Sequence, residues 1–406
     1  MRLPRFAQQL VARAKGYHRL SDARRATLGA VWPRLTAGLQ AAPFDRLDDP
    51  FLTPPGDPAV LDLNSPTASA DAPPLRVTPD RFGPPPPHGL PALREAVAET
   101  TGLAGDVLVT YGAAGAFRAA LTAFVGRRPV VLLAPCSPLF ALASAAGRAR
   151  VRWVPTHAEG GRLRLDFDAL SRAMRGAALV AVADPGNPIG LPLAADDTDR
   201  LRWAAERSDV LLYVDETYRR PDAPGDRLAD LAPARTLVAG SLTASGFGSL
   251  RVGWLTGPTP LIEACGLAQT LTYGPVPGVC QQAAWRVLTD ARPSDGLADT
   301  RRATVDRLRS LGFTVDEPAD GPFLWADVRR RGRVFAEELL AAEGVRFGPG
   351  DLYGPGGATR VRLSVATDPG RLREGLNRLA RFVGGPTRPE PAPRPAATRR
   401  PAFSRG

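Results

Sequence analysis

The chain has almost no lysine, few cysteines and few histidines, and each shortage excludes a kind of chemistry. Of its 52 basic residues only Lys15 is a lysine, so chemistry that needs a side-chain amine has one candidate. The three cysteines are far apart with no Cys-x-x-Cys pair, and the three histidines form no cluster. This argues against a zinc site and a disulfide framework and fits a reducing cytoplasm.

Long apolar runs are also missing. No stretch reaches the roughly 18 apolar residues of a membrane span, and no apolar core follows the N-terminal charges, so neither membrane insertion nor secretion is expected. The net charge of +11 is concentrated near the two ends, and no nucleic-acid-reading motif accompanies it. We therefore expect no nucleic-acid partner. Residues 1–44 predict an N-terminal helical extension, with an organelle transit peptide as the alternative.

From about residue 105, short apolar runs alternate with stretches rich in alanine and leucine. Near-continuous apolar strands separated by helices are typical of a mainly parallel sheet covered on both faces. The predicted fold class is therefore α/β, with a large domain over residues 75–285. The runs that predict its strands are DVLVT, PVVLLA, RVRWVP, ALVAVA, VLLYVD, TLVAG and LRVGWLTG.

The remaining segments differ in character. Residues 286–383 combine helical stretches with the strands FLWADV and TRVRLSVA, which predicts a smaller α+β domain. Residues 45–74, which include LDLNSP, are predicted to join that domain. Residues 384–406 contain mainly proline, arginine and alanine with little to bury, and predict a disordered tail.

Ligands of open α/β sheets bind outside the carboxyl ends of the strands, so the residues after each strand are the candidates. Gly112, Ala113 and Ala114 follow DVLVT and open a helix, whose free N–H groups could bind a phosphate. Packing is the simpler interpretation of such a small-residue turn taken alone. Asn187 lies in the turn DPGNPIG after the run ALVAVA.

The next two strand ends add charged and hydroxyl side chains. Asp215 ends VLLYVD, with Tyr218 three residues later. A lone aspartate there could simply cap a helix. The stretch GSLTASGFGSLRVGW follows, and its Ser241, Thr243 and Arg251 are residue types that hold phosphate.

The order and type of these residues resemble the class I/II aminotransferase family, which has fold type I of the pyridoxal phosphate enzymes. The resemblance covers roughly residues 60–383. Its segments are FGPPPPHGLPALREAVA, GAAGAFRAAL, PCSPLF, DPGNPIG, VDETY, SLTASGFGSLRVGW, GPFLW, GVRFGPG and RVRLSVA. It implies a large domain with a mainly parallel sheet, a smaller α+β domain, and a homodimer with the site at the subunit interface.

The resemblance also implies a role for each candidate residue. Asp215 would pair with the pyridine nitrogen of pyridoxal 5'-phosphate, and Asn187 and Tyr218 would bond its phenolic oxygen. Arg362 would hold a substrate carboxylate as a two-pronged fork, the alternative being a surface arginine on a strand. The phosphate would be bound by the backbone at Gly112, Ala113 and Ala114 together with Ser241, Thr243 and Arg251.

Three positions depart from the family pattern. Ala244 stands where the family has the Schiff-base lysine, and Arg251 follows it after seven residues, one fewer than in the pattern. Shifting the alignment by one residue brings Thr243 or Ser245 there, and Lys15 is about 230 positions away. Ser137 replaces the aromatic that stacks on the cofactor ring. Phe82 replaces a tyrosine.

These departures leave three hypotheses open. The first is an aminotransferase-like protein that binds pyridoxal phosphate without a covalent bond and acts on an amino acid or amine with altered or reduced catalysis. The second is a non-catalytic homologue serving as a scaffold or partner subunit. The third is unrelated chemistry on the same architecture, because fold does not fix function. His88 is the one histidine in a loop that the family places near the site.

Overall fold

The polypeptide alternates strands and helices through most of its length. A computed structural model describes residues 49, 51, 56–65, 83–220, 227–228, 233–243, 245–290 and 297–384. The strands are Leu61–Asp62 (β1), Asp106–Thr110 (β2), Val130–Ala134 (β3), Val151–Glu159 (β4), Arg162–Leu165 (β5), Leu179–Ala183 (β6), Leu211–Asp215 (β7), Thr236–Ser241 (β8), Gly253–Gly257 (β9), Thr314–Val315 (β10), Phe323–Asp327 (β11), Val345–Arg346 (β12), Gly348–Pro349 (β13) and Arg360–Ser364 (β14).

The helices lie between these strands. They are Pro91–Thr101 (α1), Gly112–Phe124 (α2), Pro138–Ala146 (α3), Phe167–Met174 (α4), Ala195–Glu206 (α5), Thr259–Thr272 (α6), Gly278–Asp290 (α7), Ala298–Ser310 (α8), Gly332–Glu343 (α9) and Pro369–Gly384 (α10).

The large sheet has the strand order β2-β9-β8-β7-β6-β3-β4-β5. The five strands from β8 to β4 pair in parallel. The outer strands β2, β9 and β5 pair antiparallel with their neighbours. The predicted α/β class with a mainly parallel sheet between helices is confirmed.

Burial on both faces explains why the central strands are apolar throughout. Val131 and Val180 belong to one buried cluster, whereas Leu132 and Ala181, their neighbours along the strands, belong to the cluster on the opposite face. Successive strand residues point to opposite faces, so a strand covered on both sides needs an apolar residue at each position.

The smaller domain is built on the sheet β10-β11-β14-β13, in which the strands pair antiparallel. Helices α8 and α9 pack on this sheet, and α10 packs on α9 and β12. The segment with LDLNSP contributes β1, which pairs in parallel with β12, so that Leu61 is opposite Val345. Arg346 of β12 is almost fully buried and forms a 2.8 Å salt bridge to Asp62 of β1.

Candidate functional site

The start of helix α2 lies against the loop that ends β8. Gly112, the first residue of the helix, has φ +66°, and a β-carbon there would lie 3.1 Å from Arg251 Nη2 and 3.7 Å from Ser241 Oγ. On the other side, a β-carbon at Gly253 would lie 2.6 Å from the carbonyl carbon of Gly112. Two glycines therefore allow the helix start, the end of β8 and the start of β9 to approach one another closely.

The loop after β8 brings two hydroxyl groups and a guanidinium to this helix end. Ser241 Oγ and Thr243 Oγ1 are 3.0 Å apart, and the Thr243 N–H donates to Ser241 Oγ at 3.3 Å. Arg251 is exposed, has φ +54°, and forms no ion pair with any described carboxylate. Hydroxyls, a guanidinium and a helix N-terminus are groups that commonly bind anions, and the space that they enclose at Gly112 is called the cup below.

Buried hydrogen bonds fix the start of helix α2 in this cup. Thr110 Oγ1 donates to the Gly112 carbonyl at 3.0 Å, and Tyr213 Oη donates to the Ala113 carbonyl at 3.1 Å. Ala113 and Ala114 occupy the first turn, where N–H groups have no acceptor within the helix. The structure therefore brings together all six residues that the sequence assigned to the phosphate.

Asp215 is the last residue of β7 and remains partly accessible. Its Oδ1 accepts the Thr217 N–H at 3.0 Å. Burial raises the pKa of the Asp215 carboxyl, and the nearby Glu216 raises it further, while the hydrogen bonding of Thr217 lowers it. Such a carboxylate is well suited to pair with a protonated ring nitrogen, because a cation would offset the cost of its burial.

Tyr218 and Arg362 both contact the ring of Phe323, and Arg362 in turn binds Asn187. The Tyr218 and Phe323 rings are in edge contact with centroids 5.1 Å apart, and the Arg362 guanidinium carbon lies 3.9 Å from the Phe323 centroid. Arg362 Nη1 donates to Asn187 Oδ1 at 3.1 Å. Burial raises the pKa of the Tyr218 phenol, and the positive charge of Arg362 opposes this shift.

Sequence reasoning missed Asn64, which binds Arg362 directly. Arg362 Nη2 donates to the Asn64 backbone carbonyl at 2.8 Å and to Asn64 Oδ1 at 2.9 Å. Arg362 Nε is buried without a partner among the described atoms. The sequence signal was slight: an amide directly after the alternation of Leu61 and Leu63 in LDLNSP.

A buried ion pair connects the two loops that carry Asn187 and Tyr218. Asp184 Oδ2 lies 3.4 Å from Arg219 Nη1, and both side chains are almost fully buried. The Asp184 N–H donates to the Asp215 carbonyl at 3.1 Å, and its Oδ1 accepts the Leu193 N–H at 3.1 Å. Burial raises the pKa of Asp184, while the Leu193 hydrogen bond and Arg219 lower it.

The remaining sequence candidates lie elsewhere. Ser137 precedes helix α3, and Phe140 of that helix packs against Phe117 with centroids 4.5 Å apart. His88 packs against helix α6, where a β-carbon at Gly266 would collide with its ring. The departures Ala244 and Phe82, and also Lys15, lie outside the described residues.

The described part of the chain contains no candidate metal centre and no candidate membrane span. No group of three or more histidine, cysteine, aspartate or glutamate side chains there could hold a metal ion. No helix in the described ranges has the length and apolarity needed to cross a membrane.

The arrangement has counterparts among known proteins. The family model described as aminotransferase class I and II matches residues 58–379. The chain belongs to the class I and II aminotransferase family. Within this family, the aspartate aminotransferase of Pyrococcus abyssi is 26% identical over 325 residues, which cover 73% of this chain and 82% of that protein. The arginine–pyruvate transaminase of Pseudomonas aeruginosa is 29% identical over 320 residues, covering 72% and 80%.

Solved aminotransferase structures share the fold. N-succinyldiaminopimelate aminotransferase from Mycobacterium tuberculosis superposes with a TM-score of 0.70 at 26% identity, covering 79% of this chain and 93% of that one. The predicted aminotransferase fold type I is therefore confirmed. Members of the class I and II aminotransferase family typically use pyridoxal phosphate. The residues described above fit that group, because hydroxyl groups, a guanidinium and a helix N-terminus surround the space beside Gly112 that would receive its phosphate.

Proposed function

We propose that this member of the class I and II aminotransferase family binds pyridoxal 5'-phosphate without a covalent bond and acts on an amino acid or amine with altered or reduced catalysis. The observation that carries the proposal is the cup in which Gly112 leaves room beside Arg251 and Ser241. It offers the donor types that a phosphate ester requires.

The other residues would bind the ring and the substrate. Asp215 would keep a proton on the pyridine nitrogen, while Asn187 and Tyr218 would bind the phenolic oxygen. Arg362 would contact the end of the substrate, because it donates to Asn187 and therefore lies beside the ring site. When bound, the cofactor supplies an electron-withdrawing ring that weakens bonds next to the substrate amine.

The alanine at position 244 accounts for the non-covalent part of the proposal. An alanine provides neither an amine to attach the cofactor nor a base to move a proton, and the chain's single lysine is Lys15. General acid–base groups typically contribute about 10²- to 10⁴-fold to a rate. Ordinary transamination should be slowed by at least that factor.

We further propose a homodimer, supported by an apolar surface next to the cup. Leu267 and Leu271 of helix α6 are exposed, Leu271 to 78%, and Tyr273 and Val279 extend the surface. Tyr273 Oη donates to the Gly115 carbonyl of the phosphate-binding helix at 3.1 Å. A second copy that covered this surface would bury apolar area beside the site.

Titration with pyridoxal phosphate tests the proposal. We expect saturable quenching of protein fluorescence, and no adduct in the peptide that contains position 244 after borohydride reduction, because no amine there captures the aldehyde. Asp215→Ala should weaken binding, whereas Asp299→Ala, at an exposed surface position, should not. In the Ala244→Lys variant, the new amine should form an imine with pyridoxal phosphate, and borohydride should reduce this imine to a stable covalent adduct at position 244.

The same titration separates the proposal from its alternative, a non-catalytic scaffold or partner subunit. The observation that supports a scaffold role is the missing amine at position 244. An absence of binding at millimolar pyridoxal phosphate would favour that role. A stoichiometric covalent adduct in the unaltered protein that Asp215→Ala abolishes would contradict the non-covalent proposal.

A further inference from the structure

Both terminal nitrogens of the Arg362 guanidinium donate hydrogen bonds to other residues of this chain. Both N–H bonds of Nη2 point to Asn64, one to its backbone carbonyl at 2.8 Å and one to Oδ1 at 2.9 Å. Nη1 donates to Asn187 Oδ1 at 3.1 Å, and Nε has no partner among the described atoms. Three amide oxygens thus surround this buried cation.

These hydrogen bonds limit how a carboxylate could bind to Arg362. A guanidinium has two faces that offer a pair of parallel N–H bonds, one formed by Nε with Nη2 and the other by Nη1 with Nη2. Nη2 belongs to both faces, and Asn64 accepts from both of its N–H bonds. A two-pronged carboxylate contact at Arg362 therefore requires Asn64 to be displaced.

Asn64 is held firmly in this position. It is buried, its Nδ2 donates to the Phe51 carbonyl at 3.1 Å, and its Oδ1 also accepts from Tyr353 Oη at 3.3 Å. The backbone of Gly348 is in close contact with the Asn64 side chain, because a β-carbon at Gly348 would collide with Asn64 Oδ1. Moving the amide away from Arg362 would break these contacts and leave buried polar atoms unpaired.

The charge of Arg362 is also accommodated without a carboxylate. The guanidinium carbon lies 3.9 Å from the centroid of Phe323 and 4.9 Å from that of Tyr353, so two aromatic rings stack on the cation. Ring faces and carbonyl oxygens both carry negative electrostatic potential towards it. The group is therefore solvated internally by neutral partners.

We infer that Asn64 determines substrate specificity by occupying the carboxylate-binding faces of Arg362, so that the site accepts a primary amine without an α-carboxylate at least as well as the matching α-amino acid. This inference rests on the proposed function. It names the substrate class of that same site.

Two stable probes test it by binding alone. Phosphopyridoxyl-L-alanine and phosphopyridoxyl-ethylamine differ by one carboxylate, and their dissociation constants are measured by fluorescence titration against the full chain. In the unaltered protein we expect values within about threefold of each other. Asn64→Ala frees one N–H of Nη2 and should make the alanine probe at least about tenfold tighter relative to the ethylamine probe.

Further variants control for folding. Asn64→Asp keeps the shape of the side chain but adds a resident anion, so it should shift the ratio in the opposite direction, towards the ethylamine probe. Asp299→Ala, at an exposed surface position, should leave the ratio unchanged. Adding Arg362→Met to Asn64→Ala should abolish the gained preference.

The outcomes separate the inference from the proposed function. A preference of the unaltered protein for the alanine probe above about tenfold, or a ratio that neither Asn64 variant moves, overturns the inference while pyridoxal phosphate binding stands. If pyridoxal phosphate and both probes fail to bind, the proposed function is overturned and the inference with it.

Discussion

Replacing Gly112 with alanine perturbs the cup at its narrowest point. The residue has φ +66°, a conformation that costs an L-residue about 1–2 kcal/mol. Its new methyl group would lie 3.1 Å from Arg251 Nη2 and 3.7 Å from Ser241 Oγ, within the space proposed for the phosphate. Arg251 is exposed and can move away, so the crowding should affect ligand binding more than folding.

The expected size of each effect follows from these contacts. The free energy of unfolding should fall by about 1–2 kcal/mol from the backbone term. Displacing the guanidinium removes a charge-assisted hydrogen bond, worth about 1.5–3 kcal/mol, so pyridoxal phosphate should bind about 10- to 100-fold more weakly.

Gly102 provides a matched control for this experiment. It has φ +63° at the end of helix α1, and a β-carbon there would meet nothing within 4 Å. Gly102→Ala should therefore lose similar stability, measured by urea unfolding, and keep the unaltered affinity, measured by fluorescence titration. Equal affinities of the two alanine variants for pyridoxal phosphate would refute the placement of the phosphate at Gly112.

Two further changes test a charged group of the candidate site, Asp215, and the buried ion pair of the small domain, Arg346 with Asp62. Burial raises the pKa of Asp215 above its ordinary 3.8, so the native state keeps that proton to higher pH than the unfolded chain does. The stability advantage of the unaltered protein over Asp215→Asn should therefore be fully present below pH 3.8 and be lost as pH rises through the native pKa. Urea unfolding at a series of pH values without added cofactor measures this difference. An advantage that grows as pH rises would contradict the burial argument. Arg346→Met leaves the carboxylate of Asp62 largely buried without its 2.8 Å partner and should cost about 3–5 kcal/mol of unfolding free energy. Arg302→Met, at an exposed pair with Asp299, should change it by less than about 0.5 kcal/mol, and similar losses in both variants would refute the distinction.

The sequence is informative where strands end at one edge of the sheet. Strands β2, β7 and β8 each carry a candidate at or just after the end, which predicts that Gly112, Asp215 and Ser241 lie at one edge, and the structure places Gly112 beside Ser241. The apolar character of the central strands likewise indicated a sheet covered on both faces. These predictions rest on the spacing of apolar residues along the chain and on the rule that ligands bind at the carboxyl ends of parallel strands.

Contacts between distant segments could not be predicted in this way. Asn64 follows a two-residue strand, β1, whose partner β12 lies more than 280 positions later, and no local pattern identifies that pairing. The sequence predicts that the guanidinium of Arg362 binds a substrate carboxylate through two N–H groups. It does not predict that Asn64 already accepts hydrogen bonds from this guanidinium. The hydrogen bonds that surround the guanidinium depend on how the small sheet is placed against the first described residues.

The pairing of β1 with β12 also constrains when the site can form during synthesis. Arg362 reaches Asn64 across 298 positions of sequence, and Arg346 reaches Asp62 across 284. The residues that line the cup all precede Gly253, so they have been synthesised while the ribosome is still translating the small domain. The end of the site proposed to contact the substrate is therefore assembled last, from two parts of the chain that are far apart in sequence.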